Sequence, residues 1–94
     1  MAITTDYIMK HLRFNGLDPD TFESRWPTDE EKSWHKIIAD GPEFGDLNKN
    51  AEFLYNAGIH DWYWIDRAGD RMVWRTTLYF KYEKDLMFFK LGRL

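Results

Sequence analysis

Three histidines are the residues of this chain whose side chains could serve either acid–base or metal chemistry. Glu31 and His35 stand four residues apart, a spacing that places both on one face of a helix. They supply two ligands where a protein metal site uses at least three, so an ion pair or a capping contact is the preferred interpretation. His60 and Asp61 are neighbours in a predicted strand and therefore point to opposite faces. His11 lies near the end of a predicted helix, where positive charge is favoured anyway.

The carboxylates and the sequence motifs add no catalytic set to these histidines. Asp66 and Asp70 flank a predicted turn, and the neighbouring Arg67 and Arg71 make a local charge network the better interpretation. Gly-x-Ser-x-Gly, phosphate-loop and dinucleotide-binding patterns do not occur, and the chain has no cysteine. We therefore predict that the protein is not an enzyme and that it uses no cofactor and no metal ion.

One face of a predicted β-hairpin mixes aromatic and basic side chains, and this is the surface that we expect to bind a partner. Tyrosine and arginine dominate the binding energy of many protein interfaces, whereas aromatic and basic side chains together can also hold single-stranded nucleic acid. A pI of about 5.5 favours a protein partner over nucleic acid. The structural alternative is an ordinary exposed face, or one covered by a helix of the same chain. Strict alternation places on this face Asp61, Tyr63, Ile65, Arg71, Val73, Arg75, Thr77, Tyr79 and Lys81, and the predicted partner-binding residues are Tyr63, Arg71, Arg75, Tyr79 and Lys81.

The N-terminal half of the chain has the pattern of several short helices. Apolar residues spaced for one helical face predict a first helix over residues 5–14. A second helix is predicted over residues 18–26, with Pro19 in its first turn, where the missing N–H group costs nothing. This second helix would bury Phe22 and Trp26 and would end before the next proline.

A third helix has the clearest start signal, because Thr28 and Glu31 have the spacing of a capping box. Three acidic residues follow the threonine directly, and negative charge is favoured in the first turn of a helix. Residues 40–42, Asp-Gly-Pro, would end this helix. Its predicted buried stripe consists of Trp34, Ile37 and Ile38.

Two further helices are predicted, on either side of the hairpin. Residues 42–48 are expected to form a loop, and a fourth helix is expected over residues 49–56 with Gly58 as its cap. A last helix is expected over residues 83–91, which are rich in Leu, Met and Phe, and should pack on the sheet.

The hairpin itself is predicted from two segments rich in aromatic and β-branched residues, 59–66 and 71–82. Residues 66–70 have the composition of a type I turn closed by a glycine bulge. The register implied by this turn pairs Trp64 with Met72 and Trp62 with Trp74. One face of the hairpin then carries Trp62, Trp64, Met72, Trp74, Leu78 and Phe80.

The composition is that of one small globular domain over residues 1–94. Aromatic residues make up 18% of the chain, which helps a short sequence to build a core. A chain without cysteine is expected in a reducing compartment, and no signal peptide or run of about 20 apolar residues is visible. We therefore predict a cytoplasmic protein that does not bind a membrane.

The net charge of −3 is unevenly distributed along the chain. Residues 1–58 contain eleven acidic and six basic residues, whereas residues 59–94 contain five acidic and seven basic residues. Residues 18–52 alone contain ten acidic and four basic residues. This stretch is either a solvated helical surface or a surface that steers a basic partner.

The segment from Leu78 to Leu91 resembles a C-terminal pattern in small proteins of tailed bacteriophages. In that pattern an aromatic strand ends in Phe-Lys, here Phe80 and Lys81, and an acidic helix start follows. The pattern closes with Phe-Lys-Leu, which here is residues 89–91. The resemblance implies a viral origin, a location in the host cytoplasm and a role in virus–host interaction; it implies no activity and no functional residue.

These observations predict an α+β fold: several short N-terminal helices, then an antiparallel β-hairpin or small sheet, and a C-terminal helix packed on it. The predicted function is a non-enzymatic protein-binding module, a small phage-encoded regulator or inhibitor of an unidentified host protein. The alternatives are a single-stranded nucleic-acid-binding protein that uses the same face and a small virion structural component. Because two strands alone are marginal in water, a homodimer through edge strands is also considered.

Overall fold

The computed structural model describes residues 4–14, 25–65 and 75–93. The predicted second helix, except its last two residues, the predicted turn at residues 66–70, and Arg71, Met72, Val73 and Trp74 lie outside the described residues. The described helices are α1 (Thr5–Lys10), α2 (Asp29–Lys32), α3 (Gly41–Phe44), α4 (Leu47–Asn56) and α5 (Glu83–Arg93). The described strands are β1 (Leu12–Arg13), β2 (His35–Asp40), β3 (Trp62–Ile65) and β4 (Arg75–Phe80). Helices on a small sheet confirm the α+β prediction.

The first helix is shorter than predicted, because the chain leaves it to join the sheet. Thr4 caps α1, and its hydroxyl oxygen accepts a 3.2 Å hydrogen bond from the Tyr7 N–H group. Leu12 then pairs in parallel with Trp64, and it is buried. The prediction that the helix reaches residue 14 is therefore wrong, since a strand pairing takes the backbone groups that further turns would use.

The capping box of Thr28 and Glu31 is confirmed, but the helix that it starts is a single turn. Residues 35–40, predicted to be helical, form strand β2, which pairs with β4 along its full length. Ile37 and Ile38 are β-branched and suit a strand. The hydrogen bonds and packing of the six-residue pairing with β4 stabilise the strand more than the helical spacing of the apolar residues would stabilise a helix. The predicted helical stripe is therefore wrong: Ile37 packs against the core, whereas Ile38 points away and is 46% exposed.

The segment that follows β2 contains more helix than predicted. The predicted loop over residues 42–48 is wrong at its start, because Pro42 lies in the first turn of α3. Asp46 caps α4 by accepting a hydrogen bond from the Lys49 N–H group, so this helix begins two residues before the predicted start. Gly58 has a φ of +73°, the left-handed conformation expected of a residue just after a helix.

The four described strands form one mixed sheet in the order β1-β3-β4-β2. The pairing of β3 with β4 is antiparallel, as predicted, but the predicted register is wrong. Trp62 pairs with Phe80 and Trp64 pairs with Leu78, six residues further along β4 than the predicted turn implies. Because six is an even shift, each side chain keeps its predicted face. Trp62, Trp64, Leu78 and Phe80 do lie together in the core.

The core lies between this inner face of the sheet and the helices α1, α4 and α5. Leu54 of α4 and Phe89 of α5 are fully buried, and the Phe80 and Phe89 rings lie 5.5 Å apart between centroids. The C-terminal helix is therefore present and packed on the sheet, as predicted. Arg93 anchors its end, donating to the Asn50 side chain at 2.8 Å and to both the carboxylate and the backbone carbonyl of Glu43.

Candidate functional site

The outer face of the sheet, which the sequence suggests as the binding surface, is covered at its centre. Tyr63 is 1% exposed, and its ring stacks on that of Tyr79 at 4.6 Å between centroids. Its hydroxyl donates a 2.6 Å hydrogen bond to the backbone carbonyl of Glu31, and the Trp34 ring lies 5.5 Å away. The expectation of an exposed Tyr63 is therefore wrong, because the chain around α2 folds over it.

The other predicted partner-binding residues do not form one described surface. Tyr79 is half-buried under its contact with Tyr63. Lys81 is exposed, with its ammonium group 5.5 Å from the Tyr82 ring centroid. The backbone of Arg75 pairs with Asp40, and Arg71 lies outside the described residues.

A cleft lies beside this covered face, at the edge of the sheet formed by β1. Its volume is about 280 Å³. The end of α1 and strand β1 form one wall, and the segment leading into α2 forms the other. We call it the basic cleft, and it is lined by Lys10, Arg13, Arg25, Trp26, Thr28 and Glu31.

Arg13 and Glu31 form the floor of the basic cleft through two hydrogen bonds. The Arg13 Nε atom lies 3.3 Å from Oε1 of Glu31, and Nη2 lies 3.1 Å from Oε2. A paired fork of this kind fixes both planar groups. Arg13 also donates to the backbone carbonyl of Leu12 at 2.9 Å, and its guanidinium carbon lies 5.8 Å from the Tyr63 ring centroid. This arginine is therefore a fixed part of the cleft rather than a mobile charge.

The Glu31 carboxylate is held in its charged form. Burial alone would raise the pKa of Glu31, but hydrogen bonds from Arg13 and from the Thr28 backbone outweigh it and lower that pKa. The Thr28 N–H group donates to Oε1 at 2.9 Å. Glu31 neutralises Arg13, and Lys10 and Arg25 are the other basic side chains that line the cleft.

Trp26 and Arg25 bring a large aromatic side chain and a guanidinium group to the same cleft. The backbone at Arg25 is fixed to the end of β1, since its carbonyl accepts a 3.0 Å bond from the Phe14 N–H group. Trp26 is not in a helix and is 51% exposed, so the prediction that it is buried on a helix face is wrong. Tryptophan, tyrosine and arginine are the residues that carry most binding energy in protein interfaces. The basic cleft can therefore hold an anionic group of a ligand near its basic side chains and an apolar group against Trp26.

Sequence reasoning missed this cleft because its residues come from three separate segments. Lys10 and Arg13 were placed on a helix end, and Arg25 and Trp26 on another helix. One sequence signal was available: Trp26 directly precedes Pro27, and such a residue is pushed away from helical geometry.

The histidines are also dispersed. His11 is 5% exposed and stacks on Trp62 at 4.1 Å, with Nδ1 donating 2.8 Å to the Trp62 carbonyl. His35 lies on strand β2, while Glu31 bonds to Arg13 and Thr28. In the part of the chain that the structure describes, no three His, Asp or Glu side chains converge in a way that could hold a metal ion.

Over residues 4–14, 25–65 and 75–93, no helix is long and apolar enough to cross a membrane. Comparisons of this chain with protein-family models, with curated proteins and with solved structures find no match.

Proposed function

We propose that the protein is a non-enzymatic protein-binding module and that the basic cleft is its docking site. The observation that carries the proposal is the placement of Trp26, 51% exposed, at a cleft that also contains Lys10 and Arg25. A half-exposed tryptophan beside positive charge is typical of the centre of a protein interface. This site replaces the sheet-face residues suggested by the sequence.

The dimensions of the cleft support a peptide segment as its ligand. Pockets for drug-sized molecules usually span about 300–1,000 Å³, and a cleft of about 280 Å³ lies just below that range. It has room for one or two side chains of a partner. The positive charge of Lys10 and Arg25 favours an Asp or Glu side chain, and Trp26 favours an apolar or aromatic neighbour.

A module of this kind can regulate or inhibit its partner without catalysing a reaction, by covering the partner's surface. The domain would cover an acidic segment of a larger protein and block its other contacts. The fixed pairing of Arg13 with Glu31 supports this role, since a preorganised cleft floor reduces the entropy lost on binding. The phage origin stays a prediction, and the proposed binding does not depend on it.

Single-stranded nucleic acid is the second candidate ligand, because a base can stack on Trp26 while Lys10 and Arg25 hold phosphates. Besides the paired Arg13, two basic side chains line the cleft, so the slope of log K against log salt would be no steeper than about −2. A basic peptide-binding cleft shows a similar slope, so the ligands must be compared directly.

The test is selection of a displayed library of random peptides on the folded domain. We expect enrichment of peptides in which Asp or Glu lies beside an aromatic or aliphatic residue. Trp26→Ala should weaken the selected peptide by about 30-fold, a loss of about 2 kcal/mol, and Lys10→Glu should also weaken it. Lys36→Glu, the same charge reversal at an exposed position of β2, is the matched control and should bind normally.

Three results would count against the proposal. Enrichment of peptides without acidic residues would show that the basic side chains of the cleft do not select the ligand. Unchanged binding by Trp26→Ala would show that the peptide binds outside the cleft. Tighter binding of an oligothymidylate than of any selected peptide, lost in the same two variants, would assign the cleft to nucleic acid instead. Circular dichroism of each variant checks that the fold is intact.

A further inference from the structure

Strand β2 is one of the two edge strands of the sheet, and it is the longer one. In the order β1-β3-β4-β2 it pairs with β4 on one side, and no described strand pairs with it on the other. It has six residues, whereas β1 at the opposite edge has two. Lys36 and Asp40 are exposed, and Ile38 is 46% exposed. An edge strand of this length presents backbone groups that another strand can bind.

The hydrogen-bond pattern of the sheet shows which backbone groups of β2 point outward. Opposed residues of an antiparallel pair alternate between those that exchange hydrogen bonds and those that do not. The Lys81 N–H group bonds to the Asp61 carbonyl oxygen, so the odd-numbered residues of β4 bond toward β3 and its even-numbered residues bond toward β2. These even-numbered residues oppose odd-numbered residues of β2. Lys36 and Ile38 therefore direct their backbone N–H and C=O groups to the outer edge.

The side chains on the outer face of β2 form a pattern that complements its own reverse. Because side chains alternate along a strand, Lys36, Ile38 and Asp40 share this face. In chain order the face is cationic, apolar and anionic, and read backwards from Ile38 it is anionic, apolar and cationic. Charged residues on an edge strand usually disfavour pairing with another chain, but in a reversed copy of this strand each charge meets its opposite.

We propose that β2 pairs antiparallel with β2 of a second copy of this chain, around a two-fold axis at Ile38. The two Ile38 residues then exchange two backbone hydrogen bonds, and their side chains contact each other. Lys36 of each copy lies opposite Asp40 of the other, which gives one ion pair on each side of the axis. On the inner face Ile37 lies opposite Ala39, and both are apolar. The two sheets become one continuous sheet.

Other registers of the same strand pair fit less well. A two-fold axis at Lys36 or at Asp40 places like charges directly opposite each other, which is destabilising. An axis at Ile37 or at Ala39 places a charged residue opposite Ile38 and leaves the axis at a pair that exchanges no hydrogen bonds. A parallel pairing in register places each charge beside its own kind. The antiparallel pairing around Ile38 is therefore the one in which the backbone bonds and the charges agree.

The neighbouring charged groups are compatible with this register. Arg75 of β4 stands opposite Asp40 in the same chain, and Asp40 has an interaction within that chain. A carboxylate has about four acceptor positions, so Asp40 can also accept from Lys36 of the second copy. Lys81 directly follows β4 at the end of the sheet where Lys36 lies, and it adds positive charge near the position of the second copy's acid. His35 lies on the other face of the strand.

The size of the contact sets the expected strength. Pairing over residues 36–40 buries less than the roughly 800 Å² per partner of a standard interface. The dimer should therefore be weak and depend on protein concentration. The basic cleft lies at the β1 edge, and no residue of β2 lines it, so this pairing is independent of the proposed function.

The test is sedimentation equilibrium of the whole chain over a series of concentrations up to roughly 1 mM. The weight-average mass of the wild type should rise toward that of a dimer. Ile38→Lys and Ile38→Glu each place like charges opposite each other and should each weaken association by roughly tenfold or more. An equimolar mixture of these two variants should associate again, because the opposed residues then differ in sign. Glu52→Lys, at an exposed position of α4, is the control and should associate like the wild type.

Single cysteines test the register, since the chain has none of its own. Ile38→Cys should form a disulfide-linked dimer under mild oxidation, because the two-fold axis brings the two Cα atoms to about 5.5 Å. Lys36→Cys is the matched control on the same face of the same strand. Its two copies lie four residues apart along the paired strands, or about 13 Å, so it should stay reduced.

Four results would each overturn the proposal. A wild type that stays monomeric at the highest concentration would leave this edge to a strand of another protein. Association that survives both Ile38 variants, or a mixture of them that stays monomeric, would place the contact elsewhere. A disulfide in Lys36→Cys and none in Ile38→Cys would require a different register. Circular dichroism of each variant checks that the fold is intact before association is compared.

Discussion

The hydroxyl of Tyr63 donates a 2.6 Å hydrogen bond to the backbone carbonyl oxygen of Glu31, and this bond ties the centre of the sheet to helix α2. The side chain of the same Glu31 pairs with Arg13 on strand β1. One residue of α2 is thus attached to two strands, through its backbone to β3 and through its side chain to β1. This arrangement covers Tyr63 and, at the same time, fixes the floor of the basic cleft.

Tyr63→Phe should destabilise the protein without changing its fold. The substitution keeps the stacked ring but leaves the Glu31 carbonyl without its partner, which costs about 1–2 kcal/mol. Urea denaturation followed by tryptophan fluorescence measures the change. Tyr82→Phe, at a 43% exposed tyrosine, is the control and should be neutral. Equal stability of the two variants would show that the Tyr63 hydroxyl contributes nothing to the packing of α2.

Glu31→Gln should make the protein less stable at neutral pH by about 1.5–3 kcal/mol, because the charged bonds to Arg13 are weakened. The pKa of Glu31 is lower in the folded state than the usual value of about 4.3. Its contribution is therefore fully present above that usual value and is lost as the pH falls through the lower, folded pKa.

The free energies of unfolding of wild type and Glu31→Gln should therefore converge as the pH falls from the usual glutamate range through the lower, folded pKa of Glu31. Glu30→Gln, at an exposed neighbour on the same turn, should stay close to the wild type at every pH. A difference between wild type and Glu31→Gln that does not depend on pH would assign the effect to packing rather than to the ion pair.

His11 should make the protein less stable in mildly acidic solution. Burial lowers the pKa of His11, and the positive charges of Lys10 and Arg13 act in the same direction. Nδ1 donates to the Trp62 carbonyl, so protonation would put a proton on the buried Nε2 atom, which has no hydrogen-bond partner. The unfolded chain therefore takes up a proton more readily, and stability falls as the pH drops below about 6.5.

The measurement is the free energy of unfolding between pH 7 and pH 5. Wild type should lose stability across this range, while His11→Phe should start lower and change less. His35→Gln, at an exposed histidine of β2 that is not among the charges acting on His11, should keep the wild-type slope. A slope that persists in His11→Phe would mean that another group causes it.

The strand register can be tested by cross-linking, since the chain has no cysteine of its own. The Lys81 N–H group donates 3.1 Å to the Asp61 carbonyl, so these residues face each other across β3 and β4. The double variant Asp61→Cys/Lys81→Cys should form an intramolecular disulfide under mild oxidation, because directly opposed residues have a suitable Cα separation. Mass spectrometry without reductant reads out the bond.

The matched control is Asp61→Cys/Arg75→Cys, which corresponds to the register implied by the predicted tight turn. In the structure these positions are six residues out of register, or about 20 Å apart along the strands. This pair should stay reduced. The opposite outcome, a disulfide in the control and none in the first variant, would restore the tight-turn register.

Features that depend on a few neighbouring residues were predictable from the sequence. The capping box at Thr28 and Glu31 requires a spacing of three residues and nothing else, and it is present. The assignment of Trp62, Trp64, Leu78 and Phe80 to one face follows from the two-residue period of a strand, and it survives even the error in register. The apolar C-terminal helix is present for the same local reason.

Features that depend on distant pairing were not predictable. Residues 35–40 have apolar positions that fit a helix, and only the ladder to β4 makes them a strand. Tyr63 alternates as an outward residue, and only the contact with α2 buries it. The basic cleft needs Lys10, Arg13, Arg25 and Trp26 to meet, and no short-range signal connects these segments.

The sequence by itself therefore determined the fold class, the first residues of α1, α2 and α5 and the inner face of the sheet, because hydrogen bonds and side-chain periods within a few residues specify them. The tertiary structure alone decided the register of β3 with β4, the addition of β1 and β2 to the sheet, the burial of Tyr63 and the location of the cleft. These depend on the free energy of contacts between segments far apart in the chain, and that energy can exceed local preference wherever an apolar or hydrogen-bonded surface becomes buried.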